Sequence, residues 1–138
     1  MENKQEKSQE DMVKEAVEEA KKEALILQDI FGKGNFFLEL QDHGIPEQQT
    51  VNTGLLRMSK DLSIDLVATN DVHYIYDTDA EAHDILLCIQ TGKKVADEDR
   101  MRYEGGQYYL KSAEEMAELF PYAREAIENT HKIAERCH

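Results

Sequence analysis

Two short apolar runs separated by one amphipathic stretch constrain this chain more than any other feature. The runs span residues 35–41 (Asn-Phe-Phe-Leu-Glu-Leu-Gln) and 64–69 (Ile-Asp-Leu-Val-Ala-Thr). Both have the length and residue types of strands, and the first follows Gly34. Gly44 breaks the first run, and Pro46 suits the first turn of a helix. Val51, Leu55, Met58 and Leu62 then recur at three- and four-residue spacing, which puts them on one helical stripe. Strand, helix and strand in this order predict a parallel pair joined by a right-handed crossover. The expected fold class is α/β, with two or three parallel strands, flanking helices and a C-terminal helical extension.

Residues 2–23 carry a mixed charge run, the mark of a solvated helix face. Beneath it lies an apolar stripe of Val13, Ala16, Val17, Ala20, Ala24, Leu27 and Phe31. Ser8 with Asp11 resembles an N-cap pair, and Gly32 is a natural helix stop. After the second strand, Asp77 to Asp79 open another helix, with Ile85, Leu86 and Ile89 expected on its buried face and Gly92 at its end. Residues 93–102 read as a polar loop. Gly105 and Gly106 sit between Tyr103 and the run Tyr108-Tyr109-Leu110, which suggests a small hairpin or a turn into extended chain. Ser112 with Glu115 is a capping box for a short helix through Phe120. Pro121 stops that helix and starts the last one, with Ala123, Ile127, Thr130, Ile133, Ala134 and Cys137 expected inward. Three parts result: a charged helical extension over 1–19, an α/β part over 20–92, and a helical segment over 93–138 that reads as an appendage.

The chain has 138 residues, with 16 Lys and Arg against 29 Asp and Glu, a net charge of −13. Such a charge repels phosphates at long range and argues against free-standing binding to nucleic acid. Hydrophobic residues make up 41%, which excludes wholesale disorder. No apolar run approaches the roughly 20 residues needed to cross a bilayer, and Met1 to Lys7 does not read as a secretory signal. Cys88 and Cys137 cannot build a disulfide framework, so a reduced, cytoplasmic setting is expected.

The segment richest in chemistry is Val67-Ala68-Thr69-Asn70-Asp71-Val72-His73-Tyr74, where an apolar strand ends in a polar cluster. In extended chain Asp71 and His73 point the same way. A carboxylate and an imidazole together at the carboxyl end of a parallel strand suit a divalent metal. The plainer alternative is a hydrogen-bonded Asp–His turn. The first strand repeats the pattern in Glu39, Gln41 and His43; if the strands are parallel neighbours, His43 would emerge beside His73 and could supply a third metal ligand, the plainer alternative being a surface histidine before a glycine turn. His83 reads as a half-buried helix histidine, His131 and His138 as surface residues, and Cys88 as core. No H-x-H or H-E-x-x-H occurs, and no Ser/His/Asp grouping is readable.

The stretch 68–74, followed by 79–93 (Asp-Ala-Glu-Ala-His-Asp-Ile-Leu-Leu-Cys-Ile-Gln-Thr-Gly-Lys), strongly resembles the PHP (polymerase and histidinol phosphatase) domain of the bacterial DNA polymerase III alpha subunit. Residues 36–48, 108–120 and 125–137 agree with it, so the resemblance covers about 20–138. It implies part of a distorted (β/α)7 barrel with metals at the carboxyl ends of its strands. It maps Asp71 and His73 onto metal ligands and places His43 near the site. The family's other ligands, including an H-x-H motif, lie upstream, and the polymerase carboxylates lie downstream. The resemblance therefore implies a fragment of a replicative polymerase subunit, without catalytic residues of its own and with only weak binding of zinc, manganese or magnesium. Its partners would be the rest of the polymerase and replisome, with DNA met only through them, and the isolated chain is expected to self-associate. Two other readings stay open: a free-standing metal phosphoesterase assembled by oligomerisation, and a non-enzymatic acidic interaction module. The nucleic-acid-binding residues are unknown from sequence.

Overall fold

The computed structural model describes residues 8–137. The charged start over residues 2–7 and the surface placement of His138 lie outside the described residues. Helix α1 (Gln9–Phe31) begins at Ser8, whose hydroxyl accepts the Asp11 N–H at 3.2 Å, and stops at Gly32, where φ is 88°. Only Ala24 of its apolar stripe is buried; Val13, Ala16, Val17, Ala20, Leu27 and Phe31 are exposed. Helical spacing says which residues share a face, and not that a partner face exists. Here α1 meets the body along the next helix, where Lys21 reaches Asp61 at 2.9 Å.

Strands β1 (Leu38–Leu40) and β2 (Leu66–Ala68) pair in parallel with Leu38 opposite Leu66 and Leu40 opposite Ala68. The Thr69 N–H donates to the Leu40 carbonyl at 3.0 Å and carries the ladder one residue further. Leu38, Leu40, Leu66 and Ala68 are buried while Glu39 is exposed, the alternation a one-sided core demands. Helix α2 (Pro46–Leu62) makes the crossover. Met58 is buried and Leu55 half-buried, but Val51 is exposed. Asn52 takes the inward place, its Nδ2–H donating to the Gln41 carbonyl at 3.0 Å.

Helix α3 (Ala80–Thr91) follows a 3-10 turn at Asp77–Asp79 and ends at Gly92 in the left-handed region, φ 66°. Its inward residues are Leu87 and Cys88; Ile85, Leu86 and Ile89 are exposed, Ile89 to 72%. This reverses the expected face. Five apolar residues in a row, 85–89, wrap around the helix, so periodicity alone cannot orient it. The face is set by Asp84, one turn before Leu87 and Cys88, which accepts both arms of the Arg100 guanidinium at 2.6 and 2.7 Å.

Residues 93–102 form a loop, and a 3-10 turn at Glu104–Gly106 follows, with both glycines at positive φ. No hairpin forms. Tyr109 makes a single parallel bridge with Tyr74, which is all that remains of a third strand. Helix α4 (Ala113–Leu119) carries the capping box as expected: the Ser112 hydroxyl accepts the Glu115 N–H, and the Glu115 carboxylate accepts the Ser112 N–H. Helix α5 (Arg124–Glu135) packs on β2. Its inward residues are Ala126 and Asn129, with Ala123 just before it; Thr130, Ala134 and Cys137 are exposed. The polar Asn129 was unreadable as an inward position, and it is there because its Nδ2–H donates to the Leu66 carbonyl at 2.8 Å. Phe120, Ala123 and Ala126 share one core with Leu38, Leu40, Met58, Ile64 and Leu66. The last third of the chain thus completes the core and is no appendage.

Two carboxylates tie stability to acid. Hydrogen bonds from Arg100 hold the Asp84 carboxyl below its ordinary range. The Ser112 N–H, and then the Tyr109 hydroxyl, do the same for Glu115. Such groups stabilise fully above the unfolded carboxylate range near pH 4, and the contribution is lost as pH falls through the lowered folded values. The thermal midpoint is therefore expected to be flat through neutral pH and to drop below about pH 4. Asp84→Asn should shallow that drop, read by circular dichroism melts across pH.

Candidate functional site

The chain leaves β2 at Ala68 and turns through Thr69, Asn70, Asp71, Val72 and His73. The Thr69 hydroxyl donates to Glu39 Oε1 at 2.5 Å and accepts from Gln41 Nε2 at 3.2 Å, so the ends of both strands are tied. Asn70 is buried, and Asp71 sits in the left-handed region at φ 44°. The extended geometry expected over 71–73 is absent. Aspartate tolerates this conformation better than most residues, because its short side chain can bond locally. Asp71 and His73 come together all the same. His73 Nδ1 lies 2.7 Å from the Asp71 carbonyl and 3.9 Å from its carboxylate Oδ2.

A carbonyl can only accept, so His73 Nδ1 carries a proton, and in the neutral ring the lone pair is on Nε2. This is the arrangement of metal-binding histidines, whose second nitrogen donates to a carbonyl that fixes ring and tautomer. His43 differs. It is buried, its Nε2–H donates to the Asn70 carbonyl at 3.0 Å, and its Nδ1 accepts from Gln48 Nε2 at 3.0 Å. The Gln48 Oε1 in turn takes the His43 backbone N–H at 2.7 Å. Both ring nitrogens of His43 are engaged inside the protein, at the same end of the sheet as His73.

Aromatic rings wall the site. The His43 ring stacks on Tyr108 at 4.0 Å between centroids. His73 meets Tyr103 at 4.5 Å and His83 at 5.3 Å, and Tyr103 meets Tyr108 edge-on at 4.9 Å. Burial raises the Tyr108 phenol above its ordinary range, and the nearby Asp71 charge adds to it. His83 is half-buried and packs against His73, Tyr74 and Tyr103. His131 is a surface residue beside Glu135. Cys88 is buried in the core. Among the described residues no group of three or more His, Cys, Asp and Glu is placed to hold a metal ion. The Asp71 carboxylate lies on the Nδ1 side of the His73 ring, and the two side chains are the closest acid–histidine pair at this end of the sheet.

Sequence reasoning missed Asn70. Its Nδ2 donates to both the Gln107 and Tyr109 carbonyls at 2.8 Å. The Tyr108 carbonyl between them accepts the His73 N–H at 2.8 Å. Its only signal in sequence was its position inside the polar cluster after the strand.

Fold and site together define a small α/β unit whose parallel pair ends in a polar, histidine-bearing turn. The chain is similar to the DNA polymerase III subunit alpha of Borreliella burgdorferi, at 49% identity over 120 residues. It is likewise similar to the subunits of that name in Campylobacter jejuni, at 45% over 120 residues, and Treponema pallidum, at 45% over 119 residues. The matches cover 87%, 87% and 86% of this chain. The chain spans about a tenth of the length of these relatives. It is therefore related to one segment of that subunit. No family model matches the chain. No helix among the described residues is long and apolar enough to cross a membrane.

Proposed function

We propose that this chain serves as a PHP-type segment of a replicative DNA polymerase alpha subunit, where the end of β2 offers Asp71 and His73 to a divalent cation. The carrying observation is the His73 ring, whose Nδ1–H is committed to the Asp71 carbonyl while Nε2 stays available. In a site completed by further ligands, a metal would polarise a phosphodiester and activate water. Asp71 and His73 would contribute two of its ligands, and His43 would support the turn through the Asn70 carbonyl. Synthesis of DNA, contact with DNA and assembly with a replisome belong to the longer subunit in this reading, and its setting is the cytoplasm. The purified 138-residue chain is expected to extend no primer.

The apolar faces left exposed on α1 (Val13, Val17, Phe31) and α3 (Leu86, Ile89) support self-association of the isolated chain, which light scattering would read as a mass above the monomer. The −13 charge opposes it most at low salt.

Two protein ligands make a weak site, because tight zinc sites use three or four. A ligand bound only to the native state stabilises by RT ln(1 + [L]/Kd), about 1.4 kcal/mol at ten times Kd. Thermal melts in millimolar zinc or manganese should show a small upward shift that grows with concentration. The double variant Asp71→Ala, His73→Ala should lose it. A full shift in the double variant would place the metal elsewhere and end this reading.

A further inference from the structure

We infer that Asn70 is a positioning residue that presents His73, an inference that rests on the reading of Asp71 and His73 as metal ligands. Asn70 is 6% exposed and sits where three segments meet. Its backbone carbonyl takes the Nε2–H of His43, which Gln48 at the start of α2 holds from the other side. Its two side-chain donors go to the Gln107 and Tyr109 carbonyls. Those carbonyls flank Tyr108, whose own carbonyl accepts the His73 N–H. Asn70 thus grips the 107–109 segment on both sides of the Tyr108 carbonyl that accepts the His73 N–H. His43 contributes twice, by bonding the Asn70 carbonyl and by stacking on the Tyr108 ring.

The amide has one orientation open to it. Reversed, its oxygen would face two carbonyl oxygens, and both donors would be lost. As placed, Oδ1 is buried with no hydrogen-bond partner. A buried acceptor left unsatisfied is costly and rare, and a position that keeps one is held by its other bonds. An aliphatic residue would avoid that cost and fill the space. What Asn70 supplies beyond packing is the pair of N–H donors, and their target is the strip that positions His73. Asp71 next to it, in the left-handed region, depends on the same anchor to hold its turn.

The test uses the 138-residue chain. The first readout needs no metal: long-range nitrogen–proton correlation spectra report which ring nitrogen of His73 carries the proton. The unaltered chain should show the Nδ1–H form. Asn70→Asp keeps the size but turns a donor toward two carbonyls into an acceptor, and the folded variant should show a mixture of tautomers. The second readout is zinc affinity by calorimetry, expected to fall roughly tenfold or more, as for lost supports of metal ligands. A purely structural role would lower the melting temperature and leave both the tautomer and the affinity of the folded chain unchanged, and that result overturns the inference. A tautomer change in a chain that binds no zinc before mutation would sustain the positioning role and refute the metal reading. If Asn70→Asp does not fold, Asn70→Leu, which removes both donors and adds no charge, is read by the same criteria. In the unaltered chain the Asn70 Nδ2 protons should exchange slowly with solvent, and fast exchange would equally overturn the inference.

Discussion

Phe120→Ala is expected to lower the unfolding free energy by about 3–5 kcal/mol, the range for a fully buried aromatic replaced by a methyl. Phe120 is 0% exposed and lies between the end of α4 and the start of α5. It joins Leu38, Leu40 and Leu66 from the sheet to Ala126 of α5 and to Ala123 just before that helix. Nothing small can collapse into its place, since both helix ends are pinned. The Phe120 N–H donates to the Met116 carbonyl at 3.2 Å, and the Phe120 carbonyl takes the Ala123 N–H at 3.0 Å. Domains of this size have total stabilities of about 5–15 kcal/mol, so the loss would be a large share of the whole. Urea unfolding followed by circular dichroism measures it. A loss below about 1 kcal/mol would mean that α4 and α5 are not part of one core with the sheet.

Leu40→Ala is expected to cost about 2–5 kcal/mol, and to weaken the site as well as the core. Leu40 is 0% exposed, and its carbonyl accepts the Thr69 N–H, the last ladder bond before the Asn70–His73 turn. Its loss leaves a cavity directly under the strand end. Glu39→Ala on the neighbouring exposed position removes the acceptor of the Thr69 hydroxyl but no core volume, so it should cost far less. The two core changes touch the same cluster, so their costs in a double variant should not add. Parallel denaturation curves for the singles and the double are the measurement.

Caps and strand order were legible from residues 8 to 120 because their causes are local. Ser8 and Ser112 cap where a hydroxyl can reach an N–H three residues on, Pro46 stands in a first turn, and Gly92 ends α3 in a conformation other residues avoid. The parallel pairing of 38–40 with 66–68 followed from one helix between two strands. The facing of the helices was not legible. In α3 the apolar run 85–89 covers several directions, and a long-range ion pair from Arg100 to Asp84 settles which one is inside. In α5 a polar residue, Asn129, outcompetes Thr130 for the interior because the Leu66 carbonyl needs a donor there. In α1 the stripe was read correctly as a stripe, but most of it lacks a neighbour to bury against among the described residues.

The candidate site was half legible. The spacing of Asp71 and His73 suggested that they meet, and they do, but through a left-handed turn in place of extended chain. That His43 spends both ring nitrogens inside the protein depends on Gln48 and Asn70, contacts that spacing cannot show. Asn70 acts through carbonyls 37 and 39 residues away, a separation at which single-sequence patterns are silent.

The most direct test of the metal reading is manganese titration of the isotopically labelled chain, followed through paramagnetic broadening of its amide and imidazole signals. At substoichiometric manganese the His73 ring and the Asp71 amide should broaden first, the Tyr103 and His83 rings next to them should follow, and exposed His131 should stay sharp. Asp71→Asn, which tolerates the same left-handed backbone but removes the carboxylate charge, should abolish the selectivity. Broadening that centres on other acidic residues, or that survives Asp71→Asn unchanged, would contradict the assignment of the cation to the end of β2.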